Sequence, residues 1–146
     1  MSAIGLDSEV AEAVAVKLVT LGFIEAVDTH YPLPTEEELE SLLIYVVPAG
    51  DVATKVSRGG NKHEIKVSVI VTQLLKDPRS RDQFNVPHQK KVDIQALFDG
   101  EGAMRDAKMA GASYVGIAND PPFNDEHLRT NNQYTAEITL TYVGFK

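Results

Sequence analysis

Two stretches alternate apolar and polar residues with a period of two, and this pattern restricts the fold of the chain more than any other. Over 63–72, Ile65, Val67, Val69 and Val71 fall on one side, with Glu64, Lys66, Ser68 and Thr72 on the other. Over 134–142, Ala136, Ile138, Leu140 and Tyr142 alternate with Thr135, Glu137, Thr139 and Thr141. Successive side chains of a strand point to opposite faces, so both segments are expected to be strands with one buried face and one polar face. A sheet of that kind needs something apolar to cover its buried face.

A helix near the start of the chain can supply the cover. Val10, Val14, Leu18 and Leu21 repeat at helical spacing, with alanines between them, Asp7 placed as an N-cap and Gly22 placed to end the helix in a left-handed conformation. Residues 23–31 are expected to be extended and closed by Pro32 and Pro34, and Thr35 with Glu36, Glu37 and Glu38 has capping-box spacing for a short helical turn. The apolar run 42–47, bounded by Pro48 and Gly50, predicts a buried strand. Residues 52–57 are weakly strand-like, and Arg58-Gly59-Gly60-Asn61 predicts the turn of a hairpin into the alternating strand.

Further along, Pro78 and Pro87 among the charges of Arg79, Arg81 and Asp82 suggest a long loop over 77–89. Asp93 is placed to cap a helix using Ile94, Leu97 and Phe98, which Gly100 and Gly102 either end or interrupt before 103–110. A short strand is expected over 113–118 and a polar loop with Pro121-Pro122 over 119–132. The order predicts a single α+β domain spanning 1–146, mainly an antiparallel sheet with helices packed on one face.

With 146 residues, 43% of them hydrophobic, the chain can bury a core of its own. It contains no cysteine, which excludes disulfides, thiolate nucleophiles and cysteine-based zinc sites and fits a reducing cytoplasm. No basic and apolar leader pattern opens the sequence, and the run 42–47 falls far short of the roughly twenty residues that a membrane span requires. An aqueous setting without a membrane partner is therefore expected.

The net charge of −7 is unevenly distributed. Residues 1–52 hold ten acids against Lys17, residues 53–91 hold nine bases against Glu64, Asp77 and Asp82, and residues 92–146 return to a net −4. An acidic total argues against a dedicated nucleic-acid binder. A subunit with one acidic and one basic face can join copies of itself head to tail, unless the blocks mix in three dimensions and the asymmetry disappears.

Catalytic patterns are missing from the sequence. His30, His63, His88 and His127 are scattered, without the spacing that places two ligands on one helix face, and each is expected at the surface or in a loop. Ser57-Arg58-Gly59-Gly60-Asn61-Lys62 lacks the spacing of a phosphate-cradling loop and leads into a strand rather than a helix. No nucleophile elbow is present, and Asp120 precedes two prolines instead of a base. The expectation is a non-enzymatic protein with no catalytic residue, no metal and no cofactor.

Two stretches carry a resemblance. The first is Leu43-Ile44-Tyr45-Val46-Val47-Pro48-Ala49-Gly50 with the Ser57-Arg58-Gly59-Gly60 turn and the alternating strand after it. The second is Asn119-Asp120-Pro121-Pro122-Phe123-Asn124-Asp125-Glu126-His127-Leu128-Arg129 leading into the Thr-rich strand that starts at Gln133. A strand ending in Val-Pro, an Arg-Gly turn and an Asn-Asp-Pro loop before a terminal strand together resemble the neck and tail-terminator (tail-completion) proteins of tailed bacteriophages, over about the last two-thirds of the chain. The Gly100–Gly102 interruption departs from the continuous helix expected there.

The resemblance implies a virion protein made in the host bacterial cytoplasm. It would assemble as a ring, commonly a hexamer, that caps the tail tube and joins it to the head–tail connector or adaptor proteins, with DNA passing through the lumen unbound. A head-closure or adaptor protein of the same neck is the near alternative, and a cytoplasmic α+β enzyme or ligand-binding module is the distant one. Contacts with the ring's partners are expected on 77–89 and 119–132, carried by Arg79, Arg81, Phe84, Phe123, His127 and Arg129. The plain alternative for Phe84 and Phe123 is packing against their own domain.

Overall fold

The computed structural model describes residues 6–28, 36–57, 60–77, 79–99, 102–105, 107–119 and 123–145. Expectations that fall on His30, Pro32, Pro34, Thr35, Arg58, Gly59, Pro78, Gly100, Asp120, Pro121 and Pro122 lie outside these residues.

The two alternating segments become the interior of a five-stranded sheet. Its strands are β1 (Ala26–Asp28), β2 (Leu43–Ser57), β3 (Gly60–Leu74), β4 (Ser113–Ala118) and β5 (Gln133–Phe145), in spatial order β1-β2-β3-β5-β4. Every pair is antiparallel except β1 with β2. The register aligns the apolar positions: Ile44 with Val71 and Val46 with Val69 on one side of β3, Val71 with Ala136, Val69 with Ile138, Val67 with Leu140 and Ile65 with Tyr142 on the other. All of these side chains are buried, so a single apolar face runs across the three central strands.

Two helices cover that face. Val10, Val14 and Leu18 of α1 (Leu6–Thr20) and Ile94 of α3 (Arg81–Ala96) join the sheet residues in one core cluster. The α+β architecture expected from the pattern is therefore present, and Gly22 ends α1 with φ near 107°. The short α2 (Glu36–Leu39) forms on the acidic run itself, as expected, and α4 (Asp125–Asn131) precedes β5.

Five expectations need correction. Asp7 lies within the first turn of α1, which starts at Leu6, and is not its N-cap. Strand β2 does not stop at Pro48 but continues to Ser57 through a bulge: Pro48 pairs with Val67 and Gly50 with Lys66, leaving Ala49 as the extra residue. Proline is tolerated in strands at edges and bulges, and Pro48 is at both, since β1 covers β2 only over Ile44–Val46.

The 77–89 segment is a helix rather than a loop from Arg81 onward. Ser80 caps it by accepting from the Gln83 amide, and Gln83 Oε1 accepts from the Asp77 amide at 2.8 Å. Pro87 lies inside it; an interior proline costs about 3 kcal/mol of helix propensity, and its burial against the core offsets that cost. Asp93 is consequently mid-helix and caps nothing; the helix closes at Leu97. The 119–132 segment likewise contains a helix, capped by Asn124 and ended by Asn132 in the left-handed conformation.

No helix resumes across the described part of 103–110, which forms turns. Gly102 explains why. A Cβ there would collide with the Leu97 carbonyl oxygen, because the chain doubles back so tightly that the Met104 amide donates to the same oxygen at 2.9 Å. This turn tucks Met104, which is fully buried, beneath the end of α3. Gly102→Ala is expected to cost about 1–3 kcal/mol, as overpacking of a filled site does; a urea unfolding curve with an unchanged midpoint would refute it.

Candidate interaction surface

The segments 77–89 and 119–132, far apart in sequence, meet at one end of the sheet. Their junction is aromatic. The Phe84 ring stacks on His88 with centroids 5.0 Å apart, and meets Phe123 at 5.1 Å and Tyr134 at 5.2 Å edge-on. Helical spacing puts Phe84, His88 and Lys91 on one face of α3, and β5 raises Tyr134 from the sheet to meet them. Phe84 and Phe123 are half-buried and pack against their own core. This cluster fixes α3, the segment entering α4 and the start of β5 as one unit.

A second set of polar contacts ties the same elements together. Lys91 is buried, 4% exposed, and its Nζ donates to Asn119 Oδ1 at 3.0 Å. Gln95 donates to the same oxygen, while Asn119 Nδ2 donates to the Glu137 carbonyl at 2.8 Å. The Asn124 amide donates to the Thr135 carbonyl. These bonds occupy the margin of β5 ahead of its pairing with β4, which begins at Thr139.

Of the six residues singled out from the sequence, the three arginines stay outside. Arg79 and Arg81 are exposed at the entrance to α3. Arg79 lines a surface cleft of about 340 Å³ together with Leu128, Arg129 and Asn132. Arg129 forms an i,i+4 pair with Asp125 at 2.9 Å; both side chains are well exposed, so the pair contributes at most about 1 kcal/mol and holds the guanidinium only loosely. His127 turns inward instead: its Nδ1 lies 3.1 Å from Thr135 Oγ1, and its amide donates to Asn124 Oδ1. Arg79 and Arg129 thus stand at the rim of this cleft with acids beside them, Asp77 Oδ1 accepting from the Arg79 amide at 3.1 Å and Asp125 pairing with Arg129.

The expectation of surface or loop histidines fails for His88, which is half-buried in the aromatic cluster with Nδ1 2.9 Å from the Tyr134 hydroxyl. His127 is helical and half-buried, and His63 lies within β3 with Nδ1 2.7 Å from Asp51 Oδ1. Sequence reading also missed Tyr134 and Lys91 as organisers of this end. The spacing Phe84, His88, Lys91 was a visible signal, hidden by Pro87 in its midst. Among the described residues, no group of three histidine, aspartate or glutamate side chains could hold a metal ion, and no helix is long and apolar enough to cross a membrane. No protein-family model and no curated protein matches the chain.

Burial, reinforced by the Lys91 charge, pushes the His88 pKa below the ordinary histidine value of 6.5. Below pH 6.5 the unfolded chain therefore takes up a proton that the folded chain refuses. Stability from this residue is complete above that pH and falls on acidification until the lower folded pKa is passed. Urea midpoints measured across this window are expected to drop with pH in the wild type and to drop less steeply in His88→Gln. Equal slopes would show that His88 does not carry the effect.

Proposed function

We propose that this chain is a non-enzymatic virion structural protein, a tail terminator whose copies form a ring, hexameric by the resemblance, on the end of a tail tube. The ring joins the tube to the head–tail connector. The observation that carries the reading is the exposed charged cleft at the α3–α4 junction, where Arg79 and Arg129 stand over the aromatic cluster of Phe84, Phe123 and Tyr134 with Asp125 paired beside them. Acids stand among these arginines, with Asp77, Asp82, Asp125 and Glu126 exposed beside them, and Glu37, Glu38 and Glu40 are exposed on and beside α2 and Glu12 on α1. A subunit with a patterned set of exposed charges at one end is suited to oriented docking between successive rings, because complementary charges set register and suppress wrong contacts.

The acidic total also suits a channel for DNA. Walls with few cations exchange few counterions with phosphate and so do not retain the passing strand. In this reading the arginine end faces the tube or connector, and the remaining surface serves contacts between copies.

Purified protein added to tail tubes that lack a terminator is expected to appear in electron micrographs as a ring on one tube end. Reversing Arg79, Arg81 and Arg129 to glutamate should abolish capping while the protein keeps its folded circular dichroism spectrum and a cooperative melt, since all three are exposed. Tubes left bare by the folded wild-type protein would rule the proposal out.

A further inference from the structure

Two groups of exposed hydrophobic residues, both among the described residues, lie in different places. The first borders α1 and β1. Val16 is 61% exposed, Val19 41% and Ile24 77%. Val16, Val19 and Ala26 line a surface groove of about 330 Å³ with Glu12 in its wall. The helix beside it carries Asp7, Glu9 and Glu12 against Lys17.

The second surface is the distal part of the sheet, on the face turned away from the helices. Val52 pairs with Glu64 and Glu64 with Val143; in the next row Thr54 pairs with Lys62 and Lys62 with Phe145. The core-facing residue between these rows on β3 is His63 and the next is Ile65, so the row members point to the opposite face. Val52 is 67% exposed and Phe145 72%. Lys62 and Lys66 are exposed on either side of Glu64, leaving this patch net basic.

Single exposed hydrophobics are ordinary, but clustered ones with a charged border mark interaction sites. Here the borders have opposite sign: acidic along α1, basic along β3. Resting on the reading of the chain as an assembly subunit, we infer that the distal sheet face of one copy docks on the α1–β1 groove of the next, Val52 and Phe145 against Val16 and Val19, with Lys62 and Lys66 toward Glu12. Because the two surfaces differ, the contact is heterologous. Each copy has one of each surface, so the contact propagates and closes into a ring where the rotation permits.

A contact of this type has a complementation signature. Val16→Asp spoils only the groove, and Val52→Asp with Phe145→Asp spoils only the sheet face; all three positions are exposed, and unchanged melting temperatures verify folding. By sedimentation velocity, each variant alone is expected to be monomeric. Their equimolar mixture should give one-to-one dimers and nothing larger, since a single intact groove meets a single intact face. As a second readout, the chain contains no cysteine, so Val19→Cys and Val52→Cys proteins mixed with a bis-maleimide should cross-link to each other.

Either variant assembling as the wild type does would overturn this contact and leave the subunit reading intact, with the interface elsewhere. Loss in both variants without dimers in the mixture would also overturn it, because an isologous or unrelated contact gives that result. A wild-type chain that stays monomeric to its solubility limit and does not cross-link overturns it too. Capping of tail tubes decides the assembly reading separately.

Discussion

The structure depends on the ladder between β3 and its two neighbours. Val67, Val69 and Val71 are fully buried, flanked by Val46 and Ile44 on one side and by Leu140, Ile138 and Ala136 on the other. A slip of one residue in this register would turn every one of these side chains to the opposite face and bring Lys66, Ser68 and Glu137 under the helices. The positions of α1 and α3 follow from this face, because their own apolar residues have nowhere else to be buried. The bulge at Ala49 lets β2 continue past Pro48 with Val52 on the outward face.

What the ladder leaves uncovered is as consistent as what it buries. Its outer face is mixed near the α2 end, where Ser68 donates to Glu137 and Gln133 donates to Thr72 beside Ile70 and Tyr45. Toward the other end it turns apolar at Val52 and Phe145. Beyond Val46, β2 has no strand beside it among the described residues, and the bulge and Lys55 are the kind of features that keep such an edge from pairing indiscriminately. The aromatic junction at the α3–α4 end holds the arginines on a fixed base. A chain built in this way presents distinct faces at distinct places, which an assembling subunit requires.

The strands and α1 were legible in the sequence because their signal is periodic and local: Ile65 to Val71 and Ala136 to Tyr142 alternate, and Val10 to Leu18 repeat at helical spacing. The helix α3 was not, because Pro87 and the surrounding charges mimic a loop, and only burial of the proline against the core reveals why it is tolerated. Gly102 looked like a helix interruption; its actual constraint, the Leu97 carbonyl, arises from tertiary folding. Arg79, Phe84, Phe123, His127 and Arg129 were singled out on two separate segments that the fold then brings together. Their division into an inner aromatic base and an outer rim of arginines with neighbouring acids depends on Tyr134 and His88, whose roles no spacing rule assigns.

The central claim is that this chain acts by assembling with itself through surfaces of opposite charge. Sedimentation velocity over a wide range of protein and salt concentrations tests it most directly. The account predicts a discrete closed oligomer that grows in population with protein concentration and dissociates as salt rises, since exposed charges are screened. A species of fixed mass that salt does not affect, or a monomer under every condition, would contradict it.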